Sequence, residues 1–138
     1  MTFVPISRDR IPTEWPRVLS LIGPAIAFDK NATPSEVYEW LITGQSEAFW
    51  IGVGSALGVG VTTTSDGTCF INYAGGAVTG GPREFIRSCR AVVTDIEALA
   101  RAAGCTELWG GGRNWSRVFP DWERPDPDNP NRFRKRLT

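Results

Sequence analysis

The middle of the chain has short apolar runs and the two-residue period that is typical of β-strands. Residues 48–53, 57–64 and 69–73 form three such runs. Asp66-Gly67, between the second and third runs, is a strong hairpin signal because a type I′ turn needs positive φ at both central residues. The pattern therefore predicts an antiparallel meander of three strands.

The residues before the meander begin with a short extended segment and continue with helical spacing. Residues 2–6 are a candidate first strand, in which Pro5 suits a sheet edge because proline cannot donate to a neighbouring strand. Thr13 marks a helix start, and Gly23-Pro24 predicts a kink or break within that helix. The apolar positions of this helix are Trp15, Val18, Leu19, Ile22 and Ile26.

A second helix is predicted from Thr33 onward. Thr33 is followed by Pro34 and, three residues after the threonine, by Glu36, which is the pattern of a capping box. Gly44 then ends the helix, as glycine commonly does.

The longest predicted helix runs from Pro82 to Ala103, after a loop over residues 74–82. Its apolar stripe has spacings of three and four residues and comprises Phe85, Ile86, Cys89, Val92, Val93, Ile96, Leu99, Ala100 and Ala103. We expect its charged residues to face solvent; these are Arg83, Arg87, Arg90, Glu97 and Arg101.

The last third of the chain predicts a short strand at 106–109, a helical turn at 114–119, and an irregular proline-rich stretch. Residues 131–138 are either a closing strand or a basic tail. The helix that follows the meander implies that the 106–109 strand runs parallel to a meander strand. We expect one α+β domain over 1–138, with a mixed sheet, a crossover helix packed on the meander, and a basic C-terminal strand or tail at 120–138.

Composition excludes several kinds of chemistry. The 138 residues include no histidine, which removes Ser-His-Asp and Cys-His hydrolases and His-ligated metal sites. Fifteen basic and fifteen acidic residues leave no net charge to hold nucleic acid or an anionic membrane. We expect no metal cofactor, and widely spaced, reduced cysteines at 69, 89 and 105. Neither a signal peptide nor a membrane span is predicted.

Charge and aromatic residues are concentrated near the C-terminus. Residues 113–138 carry a net charge of +3, and the first 112 residues carry −3. This basic end is either a docking surface for an acidic partner or an ordinary solvated strand. The region 109–122 combines Trp109, Trp115, Phe119 and Trp122 with Arg113, Arg117 and Arg124. It predicts either a stacking surface for a nucleotide or core closure by tryptophan with arginine packed over the rings.

Residues 97–122, EALARAAGCTELWGGGRNWSRVFPDW, precede a basic segment that reaches Arg-Leu near the end of the chain. This stretch resembles short GNAT acetyltransferase-like proteins encoded by tailed bacteriophages. The predicted order of strands and helices extends the resemblance over most of the chain. The resemblance implies a GNAT-like fold in which the last meander strand and the following strand splay apart to leave a cleft.

The resemblance also implies acetyl-CoA as a cofactor. In the family, its pyrophosphate sits on backbone N–H groups at the start of the long helix. The cofactor-binding candidates carried over by position are Thr79, Gly80, Gly81, Arg83 and Asn114. The Arg or Gln that usually leads this loop is absent.

No catalytic residue is assigned from the sequence. The family often uses a meander glutamate or an ordered water as base, and a tyrosine after the strand that follows the long helix as acid. The base here would be Glu47, Glu107 or water, and Phe119 stands near the expected tyrosine position. Tyr38 and Tyr73 do not match that position.

Two functions follow from the resemblance. The first is a structural or assembly role in a phage particle, with other phage structural proteins as partners. That protein would be found in the host cytoplasm during assembly and then in the virion, and a homo-oligomer is compatible with the role. The second is an active acetyl-CoA-dependent N-acetyltransferase that acts on a small amine or a protein amine.

Overall fold

The computed structural model describes residues 2–29, 31–53, 56–76, 82–111 and 115–137. These residues include one six-stranded mixed sheet, and its strands lie side by side in the same order as in the sequence. The strands are β1 (Thr2–Ile6), β2 (Glu47–Val53), β3 (Ala56–Ser65), β4 (Thr68–Gly76), β5 (Glu107–Gly110) and β6 (Phe133–Arg136). The α-helices are α1 (Ile11–Phe28), α2 (Pro34–Thr43) and α3 (Pro82–Ala102), and a short 3-10 helix (Arg8–Arg10) precedes α1. The predicted α+β class and crossover helix are confirmed.

The predicted meander is confirmed in β2, β3 and β4, which pair antiparallel in sequence order. Asp66 and Gly67 have φ values of 50° and 76°, as the predicted type I′ hairpin requires. The loop predicted from residue 74 is wrong at its start. Residues 74–76 still belong to β4, where they pair with Gly58–Gly60 of β3.

Strands β1 and β6 form the two edges of the sheet. Pro5 lies in β1, which pairs antiparallel with β2 and has no second neighbour, so the predicted edge position is confirmed. Strand β5 runs parallel to β4 and antiparallel to β6. Residues 133–136 are therefore a closing strand, which decides between the two predicted alternatives.

Helix α1 differs from its prediction at two points. It begins at Ile11, before Thr13, because Pro12 fits the first turn. The N–H groups of a first turn have no acceptor within the helix, so proline loses no hydrogen bond there. Helix α1 also continues past Gly23-Pro24 to Phe28, so the predicted break is wrong. Burial of apolar side chains on both sides of Pro24 outweighs the lost hydrogen bond; these are Val18, Ile22 and Ile26.

The two residues of the predicted capping box bond to each other at the start of α2. The Glu36 N–H donates to Thr33 Oγ1 at 3.3 Å, and the Thr33 hydroxyl donates to Glu36 Oε1 at 3.1 Å. Gly44 has a φ of 79° and ends the helix as predicted.

Two apolar layers hold the sheet. Helices α1 and α2 cover one face, where the core comprises Ile22, Ile26, Val37, Leu41, Val59, Val61 and Tyr73, among others. Helix α3 covers the other face, with Cys69, Ile96, Ala100, Cys105, Leu108 and Leu137. The fold thus places the polar residues of β3 and β4 between two separate helical layers.

One charged residue of α3 contradicts its prediction. Glu97 is 8% exposed instead of solvated. Its Oε1 accepts a hydrogen bond from Lys135 Nζ at 2.6 Å, and Arg101 lies 3.6 Å from its Oε2. These two cations compensate the cost of burying the carboxylate, and Lys135 on β6 ties the closing strand to α3.

The segment after β5 is mostly irregular, as predicted for 120–130. Residues 115–119 form one turn, in which the Phe119 N–H donates to the Trp115 carbonyl at 2.8 Å. Glu123 forms an isolated bridge with Arg134 of β6. The bridge covers part of an exposed sheet edge, which otherwise is a site for unwanted strand pairing.

Candidate functional site

A polar cleft of about 300 Å³ lies on the face of the sheet that α1 and α2 cover. Its helical side is formed by Asp29 after α1, Trp40 of α2, and Gln45 and Ser46 before β2. Its sheet side is formed by Thr63, Phe70, Asn72 and Tyr73. We call it the Asp29 cleft.

A β-bulge in β4 shapes the floor of the Asp29 cleft. Val61 pairs with Tyr73 while Thr62 pairs with Ile71, so Asn72 is an extra residue on β4. Neighbouring residues of a regular strand point to opposite faces, and a bulge disturbs that alternation. Asn72 and Tyr73 therefore both line the same cleft although they are adjacent in sequence.

Asp29 is held in place from two directions. The Tyr73 hydroxyl donates to Asp29 Oδ2 at 2.6 Å, and the Asn31 backbone N–H donates to Asp29 Oδ1 at 3.0 Å. Burial and the Asp29 carboxylate together raise the pKa of Tyr73 well above its ordinary value of 10. The hydroxyl therefore remains protonated at neutral pH and keeps donating to the carboxylate.

A row of polar side chains crosses the cleft floor from the residue before β2 to β4. Ser46 Oγ and Thr63 Oγ1 are 2.8 Å apart, and Asn72 Nδ2 donates to Thr63 Oγ1. Ser46 is buried, so its hydroxyl depends on this partner. With one amide N–H used on Thr63, the Asn72 side chain is fixed at the bulge.

The lining favours a cationic ligand. Asp29 is the only carboxylate among the described lining residues, and none of them is Lys or Arg. Trp40 and Phe70 supply aromatic surface on the same cleft, and aromatic rings attract ammonium groups as well as apolar groups. A primary amine that carries a small body fits this combination.

Strand β4 parts from β5 beside the cleft. The parallel pairing includes only Thr68, Cys69 and Phe70 of β4, and β4 continues to Gly76. The pairing therefore stops where the bulge begins. Within the described residues, the later part of β4 has no β5 partner, which agrees with the predicted splay.

Of the predicted cofactor-binding residues, the structure describes one. Arg83 is exposed in the first turn of α3. Thr79, Gly80, Gly81 and Asn114 lie outside the described residues, so their assignment stays a prediction.

The candidate bases lie away from the Asp29 cleft. Glu47 lines a cavity on the opposite face of the sheet, beneath α3. Glu107 accepts a hydrogen bond from Trp109 Nε1 at 3.0 Å and lies 3.9 Å from Arg134. Phe119 packs between Trp115 and Trp122, with ring centroids 6.1 and 5.1 Å away.

The aromatic and basic residues near the C-terminus contact one another. Arg132 and Arg134 lie 4.7 and 5.5 Å from the centre of the Trp109 ring, and the predicted Arg124 lies 5.0 Å from the centre of the Phe133 ring. Arg134 and Arg136 also pair with Glu123. Internal ion pairs therefore offset part of the predicted basic end.

Sequence reasoning missed Asp29 and set Tyr73 aside. Asp29 follows the last apolar turn of α1 and belongs to no motif. Tyr73 does not occupy the tyrosine position of the family, and its role depends on a contact with Asp29, a residue 44 positions earlier.

Among the residues that the structure describes, no group of three or more acidic or cysteine side chains has an arrangement that could hold a metal ion. No helix among those residues is both long and apolar enough to cross a membrane.

No protein-family model and no curated protein matches the chain. Solved structures do. An aminoglycoside 6'-acetyltransferase type Ii matches with a TM-score of 0.70 and 11% identity, over 100% of this chain and 98% of its own. Tetrahymena GCN5 matches with a TM-score of 0.66 and 7% identity, over 100% of this chain and 97% of its own. A Desulfovibrio desulfuricans protein of the GNAT acetyltransferase family matches with a TM-score of 0.60 and 12% identity, over 99% of both chains. The chain therefore has the GNAT acetyltransferase fold.

Proposed function

We propose that this chain is an acetyl-CoA-dependent N-acetyltransferase that takes a small primary amine in the Asp29 cleft. One observation carries the proposal: a carboxylate fixed by Tyr73 lines a polar cleft at the point where β4 parts from β5. Fold alone does not assign an activity, so the acceptor chemistry rests on this site.

Asp29 has two roles in the proposed reaction. Its charge attracts an ammonium ion into the cleft, and it then accepts a proton, directly or through water, so that the neutral amine can attack. The amine nitrogen would then form the C–N bond as the thioester C–S bond breaks, and the second proton that this nitrogen loses would go to the departing thiolate, directly or through water. Tyr73 is a positioning residue, because it acts through Asp29.

Acetyl-CoA supplies the acetyl thioester when it is bound. The described residues that fit it are Arg83, whose guanidinium is exposed at the start of α3, and the part of β4 beyond Phe70, which has no β5 partner. A helix start and an arginine both favour phosphate. Thr79, Gly80, Gly81 and Asn114 complete the proposed cofactor site by sequence position.

A second candidate is the structural role in a tailed-phage particle, with no catalysis. The observation that favours it is Phe119, which packs between two tryptophans near the position where the resemblance expects a catalytic tyrosine. Under this proposal, the protein meets other phage structural proteins in the host cytoplasm and remains with the virion.

Calorimetric titration with acetyl-CoA separates the two candidates. If the chain is an acetyltransferase, we expect it to bind acetyl-CoA with micromolar affinity, and we expect Arg83→Ala to weaken this binding at least tenfold. Arg87→Ala is the matched control, because Arg87 is exposed one turn later on α3 and pairs with Glu84 at 3.4 Å. No binding at millimolar acetyl-CoA overturns the enzyme proposal. A fixed stoichiometry in purified particles would then support the structural role.

A further inference from the structure

A second cavity of about 180 Å³ lies on the opposite face of the sheet from the Asp29 cleft. It lies between the C-terminal half of α3 and strands β1 to β4, and we call it the α3-face cavity. Protein interiors seldom leave voids larger than a water molecule, so a space of this size needs a physical cause.

Small residues at the end of α3 account for the space. Ala100 on the helix, and Ala103 directly after it, line the cavity where larger members of the same apolar stripe, such as Ile96, reach the sheet. The Phe3 and Phe49 rings form another wall and stack with their centroids 4.8 Å apart. Most of the cavity wall is therefore apolar, and an apolar cavity of about 150 Å³ is large enough to bind benzene.

A polar strip crosses the sheet side of the α3-face cavity. Glu47 of β2 pairs directly with Thr62 of β3, and Thr64 pairs with Cys69 of β4. All four residues line the cavity. Thr62 is 4% exposed and lies directly beside Glu47 in the pairing of β2 with β3, so the hydroxyl and the carboxylate are neighbours on the cavity wall.

Glu47 supplies the charge of the strip. Its residue is exposed at the mouth of the cavity, and no Lys or Arg among the described residues pairs with it. Burial raises the pKa of the Cys69 thiol to about 11, so that thiol is neutral at pH 7. The cavity therefore offers apolar walls, one carboxylate and one buried hydroxyl.

We propose that the α3-face cavity binds a small apolar ammonium compound of the benzylamine class. The ring would occupy the space over Ala100, and the ammonium group would meet the Glu47 carboxylate and the Thr62 hydroxyl. This site is independent of the acetyltransferase proposal, because its residues lie on the other face of the sheet from Asp29.

The test is an NMR titration of the ¹⁵N-labelled protein with benzylamine, benzyl alcohol and benzoate at pH 7. We expect saturable shifts of the Cys69 and Ala100 amides, with benzyl alcohol bound roughly fivefold more weakly than benzylamine and benzoate more weakly still. Glu47→Gln should remove the preference for the amine over the alcohol. Asp29→Asn should leave these shifts unchanged.

Filling the cavity provides the complementary variants. Ala100→Leu should abolish binding of both benzylamine and benzyl alcohol, and Ala103→Leu, at an exposed position on the same wall, does so with less risk to folding. The proposal is overturned if benzylamine at millimolar concentration does not shift these amides, or if the amine and the alcohol bind equally. It is also overturned if Asp29→Asn removes the shifts.

Discussion

Replacing Tyr73 with phenylalanine removes the hydroxyl that joins β4 to the end of α1. The ring stays, and with it the packing of a residue that is 6% exposed. What is lost is one hydrogen bond of 2.6 Å to the Asp29 carboxylate. The substitution therefore measures this bond with little change in buried apolar surface.

The cost follows from the charge and burial of the two partners. A hydrogen bond to a charged group contributes about 1.5–3 kcal/mol. Asp29 is half-buried, so water replaces part of the lost interaction. We expect Tyr73→Phe to lower the free energy of unfolding by about 1.5 kcal/mol, which is roughly 5 °C in Tm for a domain of this size.

The same bond predicts a pH dependence. Below pH 10 Tyr73 is protonated in both the folded and the unfolded state, so the bond contributes fully. Above pH 10 the unfolded tyrosine ionises first, because the pKa of Tyr73 is raised in the folded state. The free energy of unfolding of the wild type then falls by up to about 1.4 kcal/mol per pH unit. Tyr73→Phe has no hydroxyl at this position and lacks this fall, so the free energies of unfolding of the wild type and the variant should become equal near pH 11.

Urea unfolding followed by tryptophan fluorescence measures both effects. The matched control is Tyr38→Phe, whose ring packs 5.2 Å from Trp15. A double-mutant cycle with Asp29→Asn should show coupling of about 1 kcal/mol or more. A loss below about 0.3 kcal/mol at pH 7, or a difference that stays constant up to pH 11, would refute the reasoning.

Three further substitutions test the fold. Gly75→Ala should destabilise by more than about 3 kcal/mol, because its Cβ would lie 2.2 Å from the Leu21 carbonyl oxygen of α1; chemical denaturation measures the loss. Thr33→Ala should cost about 1 kcal/mol by removing the cap of α2, with Ser35→Ala as the exposed control in the same assay. Cys69→Ala should abolish a stability loss of about 2–3 kcal/mol between pH 9 and 11, where the unfolded thiol ionises before the buried one; an unchanged alkaline profile would contradict the raised pKa.

Local signals predicted most of the architecture. The hairpin at Asp66-Gly67 and the capping box at Thr33 depend on residues within four positions of one another, so the sequence contains what determines them. The break at Pro24 was wrong because burial of α1 on the sheet, a contact with distant residues, outweighs the local preference.

The candidate site depended on contacts that no local pattern contains. Asn72 reaches the Asp29 cleft because of a bulge that shifts the pairing of β3 and β4 by one residue. Glu97 looked solvent-facing on α3 because its partner Lys135 lies 38 positions later, on a strand that the sequence left open as a tail. In both cases the sequence gives the type of the residue, but it does not give the distant residues that the side chain contacts in the fold.

The most direct test of the proposed function is release of the CoA thiol from acetyl-CoA in the presence of a panel of small primary amines. We expect amine-dependent thiol release by the wild type, a loss of at least tenfold in kcat/KM for Asp29→Asn, and no change for Asp128→Asn in the exposed segment after β5. No amine-dependent release with any member of the panel, or equal rates for the wild type and Asp29→Asn, would contradict the proposed function.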